Sequence, residues 1–363
     1  MNYLVEVRID LNAIQFNLDQ IRSKIGTGKP VMAMIKADAY GHGAVELAQF
    51  YERNGVMDFG VAHLSEARIL RDAGIKGRIL VFQPGFLTDP NDYVEWDLEA
   101  VINHVNDLDC LAENVRCHLM IDTGLCREGV LPEDVLPLLE KLQNKKHINL
   151  VGACTHFAQS DEPGRACTIR QLRIFDDLLQ SIPQDLRARL TIHAANSGAI
   201  INFKEAHYDM VRPGILLYGL YAGFGQISQR AAMSIHAKLV NVKKVGKGSA
   251  IGYGGTFKIS EPTLVGVLSL GYADGFSRGL SNKGKVWREN ESFDILGRVS
   301  MDQVVINLNN HDDFQLGTEF LIWGGDIESP SSLFQDADSL KTITYERACQ
   351  LGMRLPKVYL KED

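Results

Sequence analysis

The sequence lacks the features that would commit it to several broad classes. Its six cysteines (Cys110, Cys117, Cys126, Cys154, Cys167, Cys349) are scattered, with no CxxC pair. That argues for reduced thiols in the cytoplasm, against a disulfide frame, and against a zinc or other metal site. There is no basic run and the formal net charge is −7, so nucleic acid is not an expected partner. No stretch approaches the ~18 apolar residues of a membrane span. The opening "MNYLVEVRIDL" lacks the basic-then-apolar layout of a signal peptide. A low-complexity linker is also missing, which implies closely packed domains.

What remains is a chain of 363 residues, 45% hydrophobic and 23% charged. It is long enough for two domains with substantial cores. Up to about residue 230, short apolar runs alternate with amphipathic segments. The runs are "VMAMIK" (31–36), "FGVA" (59–62), "ILVF" (79–82), "LEAVI" (98–102), "CHLMID" (117–122), "LVGACTHF" (150–157), "LTIHAAN" (190–196) and "DMVRPG" (209–214). Eight such repeats predict βαβ units closing into a (β/α)8 barrel, with an open doubly wound sheet as the alternative. A preliminary segment carries Asp10, placed to cap the helix after it. Beyond residue 230 the texture becomes β-branched runs separated by Gly, Asn, Asp and Pro turns. This predicts an α/β barrel domain over 1–230 and a mostly β domain over 231–363.

Barrel enzymes place chemistry at the C-terminal ends of their strands, and polar residues fall at those ends here. Lys36 ends the first strand, "DTGLCR" with Arg127 follows the fifth, and His156 ends the sixth. Asn196 and Ser197 follow the seventh, and Arg212 ends the eighth. Ser197 Oγ and the backbone N–H groups of Gly214 and Ile215 form the loop pair where such barrels hold phosphate. Taken singly, each has a bland reading: a solvated strand end, a satisfied histidine, a Gly turn. Their convergence on one barrel mouth favours chemistry. A lysine beside a phosphate cradle suggests pyridoxal 5'-phosphate held as a Schiff base.

The blocks "VMAMIKADAYGHG", "IDTGLCREG", "THFAQSDE", "HAANSGA", "VRPGILLYG", "IGYGGTF", "GYADGFSR" and "LGRVSMDQ" resemble the signature segments of bacterial alanine racemases. The match runs in order from about residue 5 to the C-terminus. The resemblance implies a cofactor-bearing barrel, a C-terminal β domain and a head-to-tail homodimer in which both chains build each active site. It implies an enzyme that interconverts L- and D-alanine and supplies D-alanine for peptidoglycan. Lys36 would carry the cofactor and serve as one base, with Tyr253 of the other subunit as the second. His156 would contact that tyrosine, and Arg212 would face the pyridine nitrogen. Tyr40, Ser197, Gly214 and Ile215 would hold the phosphate. Arg127 would contact cofactor and substrate carboxylate, Met301 and Asp302 would border the substrate, and Asp161, Tyr272, Arg278 and Arg298 would line the entrance.

Two positions depart from the family pattern. The lysine usual before "DTG", often carbamylated, is Met120 here, so Arg127 needs another counter-charge: a bound anion, Glu128, or a nearby amide or hydroxyl. The tyrosine usual before "RVPR" is Met353. A changed pocket would extend the substrate range to serine or longer amino acids; methionine simply refilling the volume would not. Competing functions are a fold-related pyridoxal-phosphate decarboxylase and a cofactor-carrying homeostasis protein. The first usually carries a cysteine motif in its β domain, and the second lacks that domain.

Overall fold

The computed structural model describes residues 3–84, 89, 91–145, 148–308, 311, 313–352 and 354–361. They group into two compact units. One comprises Leu18–Leu217 and Gly223–Ser228, the other Met1–Asn17, Tyr218–Ala222 and Gln229–Asp363. The single boundary expected near residue 230 is therefore crossed by the N-terminus. The physical reason is β1 (Val5–Asp10), which pairs inside the β-rich unit. Asp10 caps as expected, its Oδ1 accepting the Asn12 and Ala13 N–H groups at 2.8 and 3.1 Å.

The first unit is a ring of parallel strands. In chain order these are β2 (Met32–Met34), β3 (Asp58–Val61), β4 (Arg78–Pro84), β5 (Glu99–Ile102), β6 (Arg116–Met120), β7 (Asn149–Cys154) and β8 (Thr191–His193). Each lies within one of the expected apolar runs or overlaps it. The eighth run closes the ring through parallel bridges His193↔Met210 and Val31↔Val211. Met32 N–H donates to Val211 O (2.8 Å) and Met34 N–H to Pro213 O (3.0 Å). β3 and β5 are buried at all four positions, the signature of a parallel sheet covered on both faces.

One interior layer is apolar: Met32, Leu80, Val101, Met120, Cys154 and Met210 form one cluster. Two glycines make room inside the ring. A Cβ on Gly152 of β7 would stand 2.1 Å from the His118 Nδ1 of β6, its paired neighbour. A Cβ on Gly60 would stand 2.4 Å from Met34 Sδ.

The second unit centres on β9 (Met233–Val245), whose buried and half-buried residues alternate as in a strand with one wet face. After the hairpin β10 (Ala250–Ile251) and β11 (Phe257–Lys258) come β12 (Thr263–Leu268), β13 (Lys285–Arg288), β14 (Glu291–Asp294), β15 (Val304–Asn307), β16 (Glu319–Trp323) and β17 (Lys357–Leu360). The main path runs β14-β13-β16-β9-β1-β17, with β12 joining β9 to β15. Arg8 of β1 binds Glu319 of β16 through two bonds of 2.9 and 2.6 Å. Among the described residues no helix is long and apolar enough to cross a membrane.

The two interior glycines differ in what their Cβ would meet. The thioether of Met34 can turn away, whereas the His118 ring is held by hydrogen bonds on both nitrogens. Gly152→Ala is therefore expected to cost about 1–3 kcal/mol by overpacking, and Gly60→Ala less. Urea unfolding of both variants checks the order.

Candidate active site

Strand β2 ends at Met34, two residues before Lys36. Lys36 opens a short turn in which Ala37, Asp38, Ala39 and Tyr40 all have left-handed backbones, with φ of 51 to 54°. Non-glycine residues there cost about 1–2 kcal/mol each, so neighbours must hold the segment. Glu66 Oε1 accepts the Ala37 N–H at 2.6 Å, and its Oε2 accepts those of Ala62 and His63. Asp38 Oδ1 accepts the Ala44 N–H at 2.7 Å. His42, fully buried, lies with Nδ1 at 2.9 Å from Tyr40 O and 3.1 Å from Ala39 O. The histidine of "GHG" is thus a buttress for the turn.

Tyr40 is buried and its hydroxyl comes close to the Gly214 backbone, 2.5 Å from where a Cβ would stand. Gly214 N–H donates to Ser197 Oγ at 3.1 Å, and Leu216 N–H to the same oxygen at 3.3 Å. Asn196 caps the helix Ser197–Asn202, its Oδ1 accepting the Ala199 N–H and the Ser160 hydroxyl. Tyr40, Ser197, Gly214 and Ile215 are consequently gathered at one side of the mouth. Any side chain at Gly214 would clash with the Tyr40 hydroxyl, so glycine is what lets the two approach.

Arg212 is 3% exposed. Its Nη1 donates to His193 Nδ1 (2.7 Å) and His193 O (2.6 Å). Its Nη2 donates to Thr155 O (2.8 Å) and Ala194 O (3.3 Å) and lies 3.4 Å from His156 Nδ1. Burial lowers the guanidinium pKa from its ordinary value. His156 is pushed down to about 3 by burial, then by the charges of Arg212, Arg127 and Lys36. Arg212, Arg127 and Lys36 are thus all near enough to His156 for their charges to act on its ring.

Arg127 is exposed, on the loop after β6, where Asp122 Oδ1 accepts the N–H groups of Gly124, Leu125 and Cys126. Of the candidate counter-charges, Glu128 is present, with Oε2 3.7 Å from Arg127 Nη2. Met120 has no part in this: it sits in the apolar layer with Cys154 Sγ 3.7 Å from its sulfur. Gln171 was not legible as a site residue. It is fully buried and donates to the His156 carbonyl (3.0 Å) and the Thr123 hydroxyl (3.2 Å), joining the two loops. Glu66 was likewise missed, although its place three residues after the helix-capping position is a readable capping-box signal.

Asp161 belongs to the barrel unit and is exposed, its carbonyl accepting the Phe224 N–H at 2.7 Å. The remaining expected residues lie in the β-rich unit. Tyr253 is 73% exposed on the turn Tyr253–Gly255, and Met301 and Tyr272 are also exposed. Tyr272 N–H donates to Ser300 O and Ala273 N–H to Met301 O, each at 3.0 Å. Asp302 Oδ1 accepts from Arg354 at 2.6 Å, and Arg354 also binds Asp274. Arg278 and Arg298 are exposed. Met353 lies outside the described residues.

Comparison with known proteins matches this arrangement to one family. The family model for the alanine racemase N-terminal domain covers residues 9–222, and that for the C-terminal domain covers 232–359. The alanine racemase of Methanococcus maripaludis is 34% identical over 99% of this chain and all of that protein. That of Chlorobaculum tepidum is 36% identical over 98% and 95%. Among solved structures, the Clostridium difficile 630 alanine racemase superposes with a TM-score of 0.93 at 29% identity, covering 99% of this chain and 96% of that one. The Bacillus anthracis enzyme with bound L-Ala-P gives 0.90 at 29%, with the same coverage. With both domain models matched in order and full-length relatives above 30% identity, the chain belongs to the alanine racemase family.

Proposed function

We propose that the protein interconverts L- and D-alanine by two-base proton transfer at Cα, in a homodimer that shares its active sites, and that it supplies D-alanine for peptidoglycan in the cytoplasm. It is an isomerase of a pyridoxal-phosphate-dependent family. The observation that carries the reading is the convergence of Lys36, Arg212, His156 and the Tyr40–Ser197–Gly214 cluster at one barrel mouth. The Ser197 hydroxyl accepts two backbone N–H groups and keeps its own hydrogen to donate, beside the Tyr40 hydroxyl, and this donor pair suits a phosphate. Lys36 would hold pyridoxal phosphate covalently, with Arg212 facing the ring.

Bound pyridoxal phosphate makes the Cα proton of an amino acid acidic enough to remove. The rest is the work of the chain. Inversion needs a base on each face, which Lys36 supplies on one and Tyr253 of a second copy on the other. An unperturbed tyrosine has a pKa of ~10, so its phenolate needs support. Arg212 is a pure donor, so His156 turns an unprotonated Nδ1 toward it. The His156 proton is then on Nε2, where it can donate to the Tyr253 oxygen. Arg127, paired with Glu128, would receive the substrate carboxylate, and the Met301 backbone N–H and Asp302 of the second copy would border the substrate. Asp161, Tyr272, Arg278 and Arg298 would line the entrance. The large exposed Tyr253, Tyr272 and Met301 suit a surface that a second copy covers.

Incubation of the holoenzyme with L- or D-alanine in D2O tests the reading, with Cα–H loss followed by NMR and product chirality by a chiral separation. Lys36→Ala is expected to abolish racemisation. Tyr253→Phe is expected to lower it by ~10²–10⁴-fold while Cα exchange from one enantiomer persists without inversion. Equal racemisation by Tyr253→Phe and wild type would remove the two-base mechanism.

Stability should depend on pH through His156. The folded ring stays neutral down to about 3, while the unfolded imidazole takes its proton near ~6.5. Between these values the unfolded state binds more protons, so stability is full above ~6.5 and falls as pH drops. His193, also lowered by burial and then Arg212, adds to the slope. Tm measured from pH 7 to pH 4 should fall less in His156→Gln than in wild type.

A further inference from the structure

Arg212 is a buried cation whose direct partners are carbonyl oxygens and imidazoles. Its path to a carboxylate is indirect. His193 Nε2 lies 2.8 Å from His118 Nδ1, and His118 Nε2 lies 3.0 Å from Glu99 Oε2. Glu99 Oε1 accepts from Arg116 Nε at 3.1 Å, and Arg116 Nη2 donates to Asp97 at 2.9 Å. Glu99, His118 and His193 are 3%, 3% and 0% exposed. Glu99 and Arg116 begin β5 and β6, at the end of the barrel opposite the mouth. The chain therefore runs through the barrel interior to the residue facing the cofactor.

Its hydrogens can be assigned from one fact. A guanidinium only donates, so His193 Nδ1 must accept from Arg212. A neutral His193 then carries its proton on Nε2 and donates to His118 Nδ1. His118 in turn carries its proton on Nε2 and donates to Glu99. Every donor points the same way, from Arg212 toward the carboxylate. Burial would raise the Glu99 carboxyl, but hydrogen bonds from His118 and Arg116 and the Arg116 charge outweigh it and hold it below the usual range. Burial, then the charge of Arg212, keep His193 neutral. The other charged groups near the chain are Asp58 and Arg78 at the starts of β3 and β4, paired at 2.6 Å. Gly152 leaves the space His118 occupies.

We propose that Glu99 is a positioning residue for Arg212, acting through His118 and His193 as a one-way donor chain that sets the orientation of the guanidinium from the far end of the barrel. This rests on the reading of Arg212 as the cofactor-facing group. The logic of replacement is specific. In Glu99→Gln, two donors, His118 Nε2–H and Arg116 Nε–H, meet a side chain with a single oxygen. If the amide nitrogen faces His118, that ring must turn its bare nitrogen to Glu99's place and donate backwards from Nδ1. His193 must then place a proton on Nδ1, opposite the Arg212 donor. In that orientation a change of one atom at the rim is delivered as a donor–donor clash at the mouth.

The test is 15N-histidine-labelled holoenzyme examined by long-range 1H–15N correlation between pH 6 and pH 8. The proposal expects His118 and His193 each to carry a proton on Nε2 with Nδ1 bare, and His193 to stay so across that range. A proton on Nδ1 of either ring, or titration of His193, would overturn it. Glu99→Gln is expected to shift the ring signals of both histidines and lower kcat by ~10–100-fold, comparable to loss of a supporting contact behind a ligand, with KM for alanine nearly unchanged. Glu99→Asp, which keeps the charge, should recover part of kcat. A Glu99→Gln enzyme that loses Tm but keeps wild-type kcat and ring signals would leave Glu99 as a structural residue only. If the wild type does not racemise alanine, the cofactor reading fails, while the histidine signals still judge the donor chain by themselves.

Discussion

The barrel unit is organised around a cation that has been taken out of water. A buried guanidinium has to have its N–H groups met by acceptors. Around Arg212 these come from the carbonyls of Thr155, His193 and Ala194 and from the imidazoles of His156 and His193. Those residues lie at the ends of two adjacent strands, so their backbone geometry at the mouth is tied to one side chain. The same constraint fixes which nitrogen of each histidine is bare. The polar path behind Arg212 is set beside the methionine-rich layer that includes Met120 and Cys154. The two solutions to filling a barrel, apolar packing and satisfied polar contacts, are used side by side.

Around Lys36 the cost is borne by the backbone. Four consecutive left-handed residues would be unstable alone, and they persist because Glu66, Asp38 and His42 each satisfy specific backbone groups of the turn or its flanks. Strain that survives only where its surroundings over-determine it tends to mark a functional segment. In the β-rich unit, Asp274 plays the corresponding part. It caps the turn at Tyr272 through the Gly271 N–H, and Arg354 links it to Asp302.

Much of this was legible in the chain. Eight apolar runs marked the strands because a parallel strand buried on both faces shows as a short continuous run. Lys36, Arg127, His156, Ser197 and Arg212 could be placed at the mouth because strand ends are where polar residues emerge from such runs. The left-handed turn was not legible, since "KADAY" contains no glycine and nothing local favours that backbone. Nor was the membership of β1 in the β-rich unit, because its partners β9 and β17 lie more than two hundred residues away.

What the sequence determined by itself was the order of elements and the residue types available at each strand end, since both follow from local periodicity and from motifs within a few residues. What only the tertiary structure decided was which of those residues share a hydrogen bond. His118 and His193 are 75 positions apart, and Glu99 is 19 from His118. They meet because ring closure brings β5, β6 and β8 around one interior, and because Gly152 between them offers no side chain. No pattern along the chain encodes that proximity; it arises when strands of unrelated sequence are forced to share one small, dry volume.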